Sequence, residues 1–217
     1  MPNWCATNYA IKGSKDDLKA IVTILNTMRN HSNGFGRYWI GNLLMHFGNS
    51  YEDANNGLPV RCKGTFSPNP MEQACFAGPE INEEEQFSID EDGILRMSTV
   101  TAYYRFYDLE EFLKQQFPSL EFFWFTTDEF GNFHEIHDPD NLGKFCPFYL
   151  DSDGESSYYY QHEYEKFITD FREICPGLNI PDDREYLSSE KFTDEFLKWR
   201  NSDPSREDTY FYVAKTE

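Results

Sequence analysis

Between Ile94 and Thr127 the chain passes from two-residue to helical periodicity and back. Ile94, Ser98, Val100, Ala102, Tyr104 and Phe106 alternate with Leu95, Met97, Thr99, Thr101, Tyr103 and Arg105. This β-branched and aromatic mix predicts a long strand packed on at least one face. Asp108 stands where it caps a helix, Glu111 supplies the second half of a capping box, and Leu109, Phe112, Leu113 and Phe117 share one helical face. Pro118 stops that helix. The next run, LEFFWFTT, is too short and too aromatic for another helix and predicts a second strand, so the stretch forms a right-handed β-α-β unit.

Upstream, Asn3 to Lys12 alternates as a strand ended by Gly13. Ser14 and Asp17 cap a helix whose stripe is Leu18, Ile21, Val22, Leu25 and Met28. Tyr38, Trp39, Leu43, Leu44 and Phe47 predict a short helix closed by Gly48. From Asn49 to Glu85 glycine and proline recur and only Val60 to Phe66 is strand-like, which marks an insertion. Gln86 to Ile89 then predicts a strand, joined to the long central one through the tight turn Asp90-Glu91-Asp92-Gly93.

Strand, helix, strand, strand, helix, strand is the order of the ferredoxin-like βαββαβ sandwich. The expectation is an α+β fold of that type over residues 1–138, with an insertion after the first helix at about 33–85 and an α+β extension over 139–217 packed on the same domain. Asp128 to Asn132 predicts a turn and Phe133 to His137 a returning strand. In the extension, two strands flank Asp151-Ser152-Asp153-Gly154. Tyr160, Tyr164, Phe167, Ile168 and Phe171 mark a helix ended by Pro176-Gly177, and Ser189 caps a last helix with Phe192, Phe196 and Trp199. Thr209 to Lys215 closes the chain as one strand.

The opening Met1-Pro2-Asn3-Trp4-Cys5, with the strand and capped helix after it, resembles the YubB-type ferredoxin-like proteins of bacterial chromosomes, plasmids and phages. The resemblance continues through Trp39-x-Gly41-Asn42-Leu43, Cys62-x-Gly64 and Phe117-Pro118-Ser119-Leu120. It departs where such proteins carry a Trp followed by prolines and this chain has Tyr103, Tyr104 and Arg105. It implies a fold and a bacterial setting, including mobile genetic elements, and transfers no catalytic residue.

Charge narrows the function. With 38 acidic residues against 19 basic ones the net charge is −19, which repels nucleic-acid phosphates and anionic membranes and argues against generic nucleic-acid binding. The acid serves either solubility or a basic protein partner, for example by imitating DNA. Apolar runs are too short for a membrane span and the N-terminus lacks signal-peptide character, so the expected setting is cytoplasmic. Cys5, Cys62, Cys75, Cys146 and Cys175 are scattered without a CxxC pair, which fits neither a disulfide framework nor a zinc knuckle.

His134, His137 and Asp138 are the densest group of metal-ligand types. On a strand, positions 134 and 137 point to opposite faces, so no metal and no cofactor is expected. Asp151 to Glu155 resembles the start of a calcium loop but has His162 where the closing Glu belongs. Phosphate-loop, dinucleotide and serine-nucleophile signatures are absent, and neither Cys5 nor Cys146 has a local sequence that marks a nucleophile.

Aromatics make up 18% of the chain and gather at Tyr103-Tyr104, Phe122 to Phe125, Tyr158 to Tyr160 and Tyr210 to Tyr212. Together with the acid charge they suit a protein-binding sheet face. The expected function is therefore a non-enzymatic interaction module. Its candidate acidic edge is Glu83, Glu84, Glu85, Asp90, Glu91 and Asp92 around one short strand, an arrangement that equally guards against aggregation. The rival is a small enzyme with a site between the central sheet and the extension, for which His134, His137 and Asp138 come first.

Overall fold

The computed structural model describes residues 4–28, 37–48, 64–68, 86–102, 107–128, 134–152 and 154–216. They fall into two compact units, Met1–Asn132 and Phe133–Glu217. His134 to His137, at the end of the first domain by sequence, belong to the second unit.

Unit 1 contains β1 (Trp4–Lys12), α1 (Lys15–Thr27), α2 (Ile40–His46), β2 (Gly64–Ser67), β3 (Leu95–Ala102), α3 (Tyr107–Gln116) and β4 (Glu121–Asp128). The strands lie in the order β2-β3-β1-β4, each antiparallel to its neighbour. β3 and β4 therefore run parallel with β1 between them, and α3 connects strands that do not touch.

The helices form where the stripes place them. Ser14 Oγ accepts from Asp17 N–H at 3.2 Å, but the Asp17 carboxylate does not reach back; it accepts from Ser119 Oγ at 2.6 Å, and Ser119 Oγ accepts from Ser14 N–H at 2.8 Å. The start of α1 is thus closed by a residue of the turn before β4. Leu18, Ile21, Leu25, Leu109, Phe112, Leu113 and Phe117 are buried in one cluster with Tyr9, Leu95, Phe122 and Trp124, and Val22 packs against it half-buried. The Asp108 side chain lies outside the described residues, as do Glu83 to Glu85 and the turn 129–133.

One strand is not where the pattern put it. Gln86 to Ile89 forms a single bridge, Ile89 to Leu95, and the place beside β3 is taken by β2, inside the stretch read as an insertion. Asn26 explains the first half of this. Its side-chain amide donates to Phe87 C=O and its carbonyl accepts from Phe87 N–H, both at 2.8 Å, so the groups a ladder would use are occupied. Gly64 explains the second half, since a Cβ there would lie 2.5 Å from Val100 C=O and 3.0 Å from Ile40.

Unit 2 contains β5 (His134–His137), β6 (Phe148–Ser152), β7 (Glu155–Tyr159), α4 (Tyr164–Ile174), α5 (Arg184–Leu187), α6 (Glu190–Asn201), β8 (Tyr210–Val213) and β9 (Lys215–Thr216). Its antiparallel sheet has the order β7-β6-β8, and β5 pairs with β9 in parallel. The closing strand is two strands, because Ala214 N–H donates to Pro147 C=O at 2.9 Å and the chain there leaves one pairing for the other. Gly154, at φ +80°, closes the β6–β7 hairpin, and Gly177, at φ +83°, follows α4. Ser189 caps α6 by accepting from Phe192 N–H. The short α5, which the sequence did not signal, is capped by Asp183 and buries Leu187. Phe148, Leu150, Phe167, Phe171, Phe192 and Phe196 form this unit's core. Among the described residues no helix is long and apolar enough to cross a membrane.

Candidate functional site

Alternate residues of a strand face opposite sides of a sheet. With Phe148, Leu150, Tyr159, Phe211 and Val213 on the helix side, the other face of the unit 2 sheet receives Tyr149 and Asp151 from β6, Ser156 and Tyr158 from β7, and Tyr210 and Tyr212 from β8. The register sorts them into two rows. Tyr158, Tyr149 and Tyr212 stand directly opposite one another, and Ser156, Asp151 and Tyr210 form the adjacent row.

The first row is a ladder of rings. Ring centroids are 4.8 Å apart between Tyr158 and Tyr149 and 5.3 Å between Tyr149 and Tyr212, and the His134 ring stacks on Tyr212 at 3.9 Å with a 16° interplanar angle. Tyr149, Tyr158 and Tyr212 are half-buried, while Tyr210 is 49% exposed and carries the Arg200 guanidinium 5.1 Å above its ring.

The second row supplies charge. Tyr149 O–H donates to Asp151 Oδ2 at 2.7 Å, and Ser156 O–H donates to the same oxygen. These bonds, from Ser156 first and then Tyr149, hold the Asp151 carboxyl below its usual range. The phenols move the other way. Burial, then the neighbouring Tyr149, pushes Tyr158 up to about 12, and burial raises Tyr149 and, far more, Tyr212. At neutral pH the three phenols are therefore uncharged and stand beside the Asp151 carboxylate. Such a surface accepts cationic and planar groups.

The sheet of unit 1 hides a polar region instead. Along the face that carries Tyr9, Ile11 and Trp124 into the core, the following positions are Cys5, Thr7, Thr99, Thr101, Thr126 and Asp128, all buried. Thr126 Oγ1 lies 2.9 Å from Thr7 Oγ1 and 3.0 Å from Cys5 Sγ, and donates to Ala6 C=O at 3.1 Å. Thr99 Oγ1 has no partner among the described residues. Cys5 is fully buried, whereas reactive thiols sit in partly exposed, electropositive surroundings.

Of the residues singled out from sequence, Glu83, Glu84 and Glu85 lie outside the described residues, and the others make local contacts. Asp90 belongs to its turn: it accepts from Ile94 N–H at 2.9 Å and Arg96 Nε–H at 2.7 Å. Burial works to raise its carboxyl, and these two partners outweigh that and hold it low. Glu91 and Asp92 are exposed at the turn. Asp138 is buried and accepts from Leu142 and Gly143 N–H at 2.7 and 2.9 Å, the geometry of a turn cap. His134 joins the ladder, and His137 is half-buried on β5. Among the described residues no three His, Cys, Asp or Glu side chains gather as a metal site. Cys146 is half-buried, and its thiol is raised by burial and then by Glu163.

The ladder combines two tyrosine clusters visible in the sequence with Tyr149 and His134, which no local pattern ties to them. The available signal was alternation in FYLDS, ESSYY and YFYV, which fixes faces but not register. Comparison with protein-family models, curated proteins and solved structures finds no match.

Proposed function

We propose that the chain is a non-enzymatic interaction module that uses the tyrosine face of unit 2 to hold a basic segment of a partner protein. The observation that carries this reading is the row His134, Tyr212, Tyr149, Tyr158 beside Asp151. It combines aromatic anchors, which dominate binding energetics, with an anion positioned next to them. The net charge of −19 favours a cationic partner and speeds its approach.

In the same reading unit 1 is a ferredoxin-like βαββαβ scaffold. The antiparallel order β2-β3-β1-β4, with a helix after β1 and another after β3, supports this. The YubB-type resemblance of its opening residues agrees, and with it a bacterial cytoplasmic setting.

The test is affinity capture with the intact chain and with a Tyr149→Ala/Tyr158→Ala double variant. The expected result is a basic protein retained by the first, lost by the second and released as salt rises. A partner held equally by both would contradict the proposal.

A further inference from the structure

We infer that the partner enters as an extended, arginine-bearing strand that adds to the outer edge of β7 and continues the tyrosine row with its guanidinium groups. This rests on the tyrosine face being the recognition surface, and it names how the occupant is held there.

Among the described residues β7 is the outer strand in the order β7-β6-β8. Edge strands offer unpaired backbone groups and are commonly guarded by lysine, proline or a bulge. β7 is Glu155-Ser156-Ser157-Tyr158-Tyr159, with no lysine or proline, and pairs residue for residue with β6; its first three residues are exposed. An added strand would lie about 4.8 Å away, close to the 4.8 and 5.3 Å steps of the rings. Its residue opposite Tyr158 then falls in line with the ladder, and the residue two along falls beside Ser156, next to Asp151.

Arginine suits both places, because a guanidinium stacks flat on a ring and also pairs with a carboxylate. Unit 2 already uses that contact: Arg206 lies 4.3 Å over Trp199, Arg184 4.9 Å over Phe148 and Arg200 5.1 Å over Tyr210. A second copy of the chain fits the edge less well, since it would set an equal net charge of −19, and a second Glu155, against the first.

The experiment follows fluorescence anisotropy of a labelled peptide alternating arginine and threonine against the full chain. Two derivatives are N-methylated, one on every arginine and the other on every threonine. In strand addition only alternate N–H groups of the added strand point toward β7. One derivative should therefore lose at least about tenfold in affinity and the other bind like the parent. Tyr158→Leu keeps an apolar side chain but loses the ring face, and should weaken the parent peptide about five- to tenfold, while Tyr158→Phe should not.

If both derivatives bind like the parent, strand addition is wrong; the recognition surface still stands provided Tyr158→Leu weakens binding. If Tyr158→Leu is also without effect, both readings fall. Failure of the arginine peptide to bind, or light scattering that shows a dimer dispersed by changes in β7, would likewise overturn the inference.

Discussion

The two sheets spend the same kind of residue differently. In unit 1, Tyr9, Phe66, Phe122 and Trp124 point into a core closed by α1 and α3, and the threonines share that inner face. In unit 2, phenylalanines and Tyr159 fill the inner face, and Tyr149, Tyr158, Tyr210 and Tyr212 line the other one. A phenylalanine needs only burial, whereas a phenol needs a hydrogen-bond partner or water for its hydroxyl. Tyr149 and Tyr212 meet that need with Asp151 and Cys146 C=O, which leaves their rings half-buried beside one another. The same kind of residue therefore builds a core in one sheet and a row of half-buried rings on the outer face of the other.

Core positions should give the largest effects. Phe171→Ala, at a fully buried centre of the unit 2 core, should cost about 3–5 kcal/mol in chemical denaturation, and Leu113→Ala in α3 about 2–5 kcal/mol. An unchanged midpoint for either would remove that helix from its core.

Asn26→Ala should cost about 1–3 kcal/mol, because it leaves both backbone groups of Phe87 without their partner. Hydrogen exchange at Phe87 should rise with it. A slow, unchanged amide would mean that another group holds this segment.

A smaller effect should appear in acid. The Asp90 carboxyl is held below its ordinary value of 3.8, so its contribution is present above that value and lost as pH falls through the lower folded one. Asp90→Asn should flatten the acid limb of the stability curve without steepening it anywhere. An unaltered limb would place the acid sensitivity elsewhere. Smallest of all in stability, Tyr158→Leu should leave the denaturation midpoint nearly unchanged while weakening binding, the converse of Leu113→Ala.

The stripes of α1, α3, α4 and α6 were legible because Leu18, Leu109, Phe167 and Phe192 and their neighbours repeat at helical spacing, and helical packing is local. The edge strand of unit 1 was not. Which segment pairs with β3 depends on Asn26, sixty-one residues from Phe87, and on the close approach that Gly64 permits. The candidate site divides the same way. Alternation revealed which tyrosines share a face, but the row itself depends on the register of three strands, the third separated from the β6–β7 hairpin by three helices, and His134 comes from a fourth.

The most direct test of the tyrosine face is an NMR titration of the intact chain, with tyrosine rings labelled, by a short arginine-bearing peptide. The expected result is saturable shifts of the Tyr158, Tyr149 and Tyr212 ring signals together with the Ser156 amide, at one common affinity, with Tyr9 unmoved in its core. Weak, unsaturating shifts spread over acidic residues, with the three tyrosines unchanged, would contradict it.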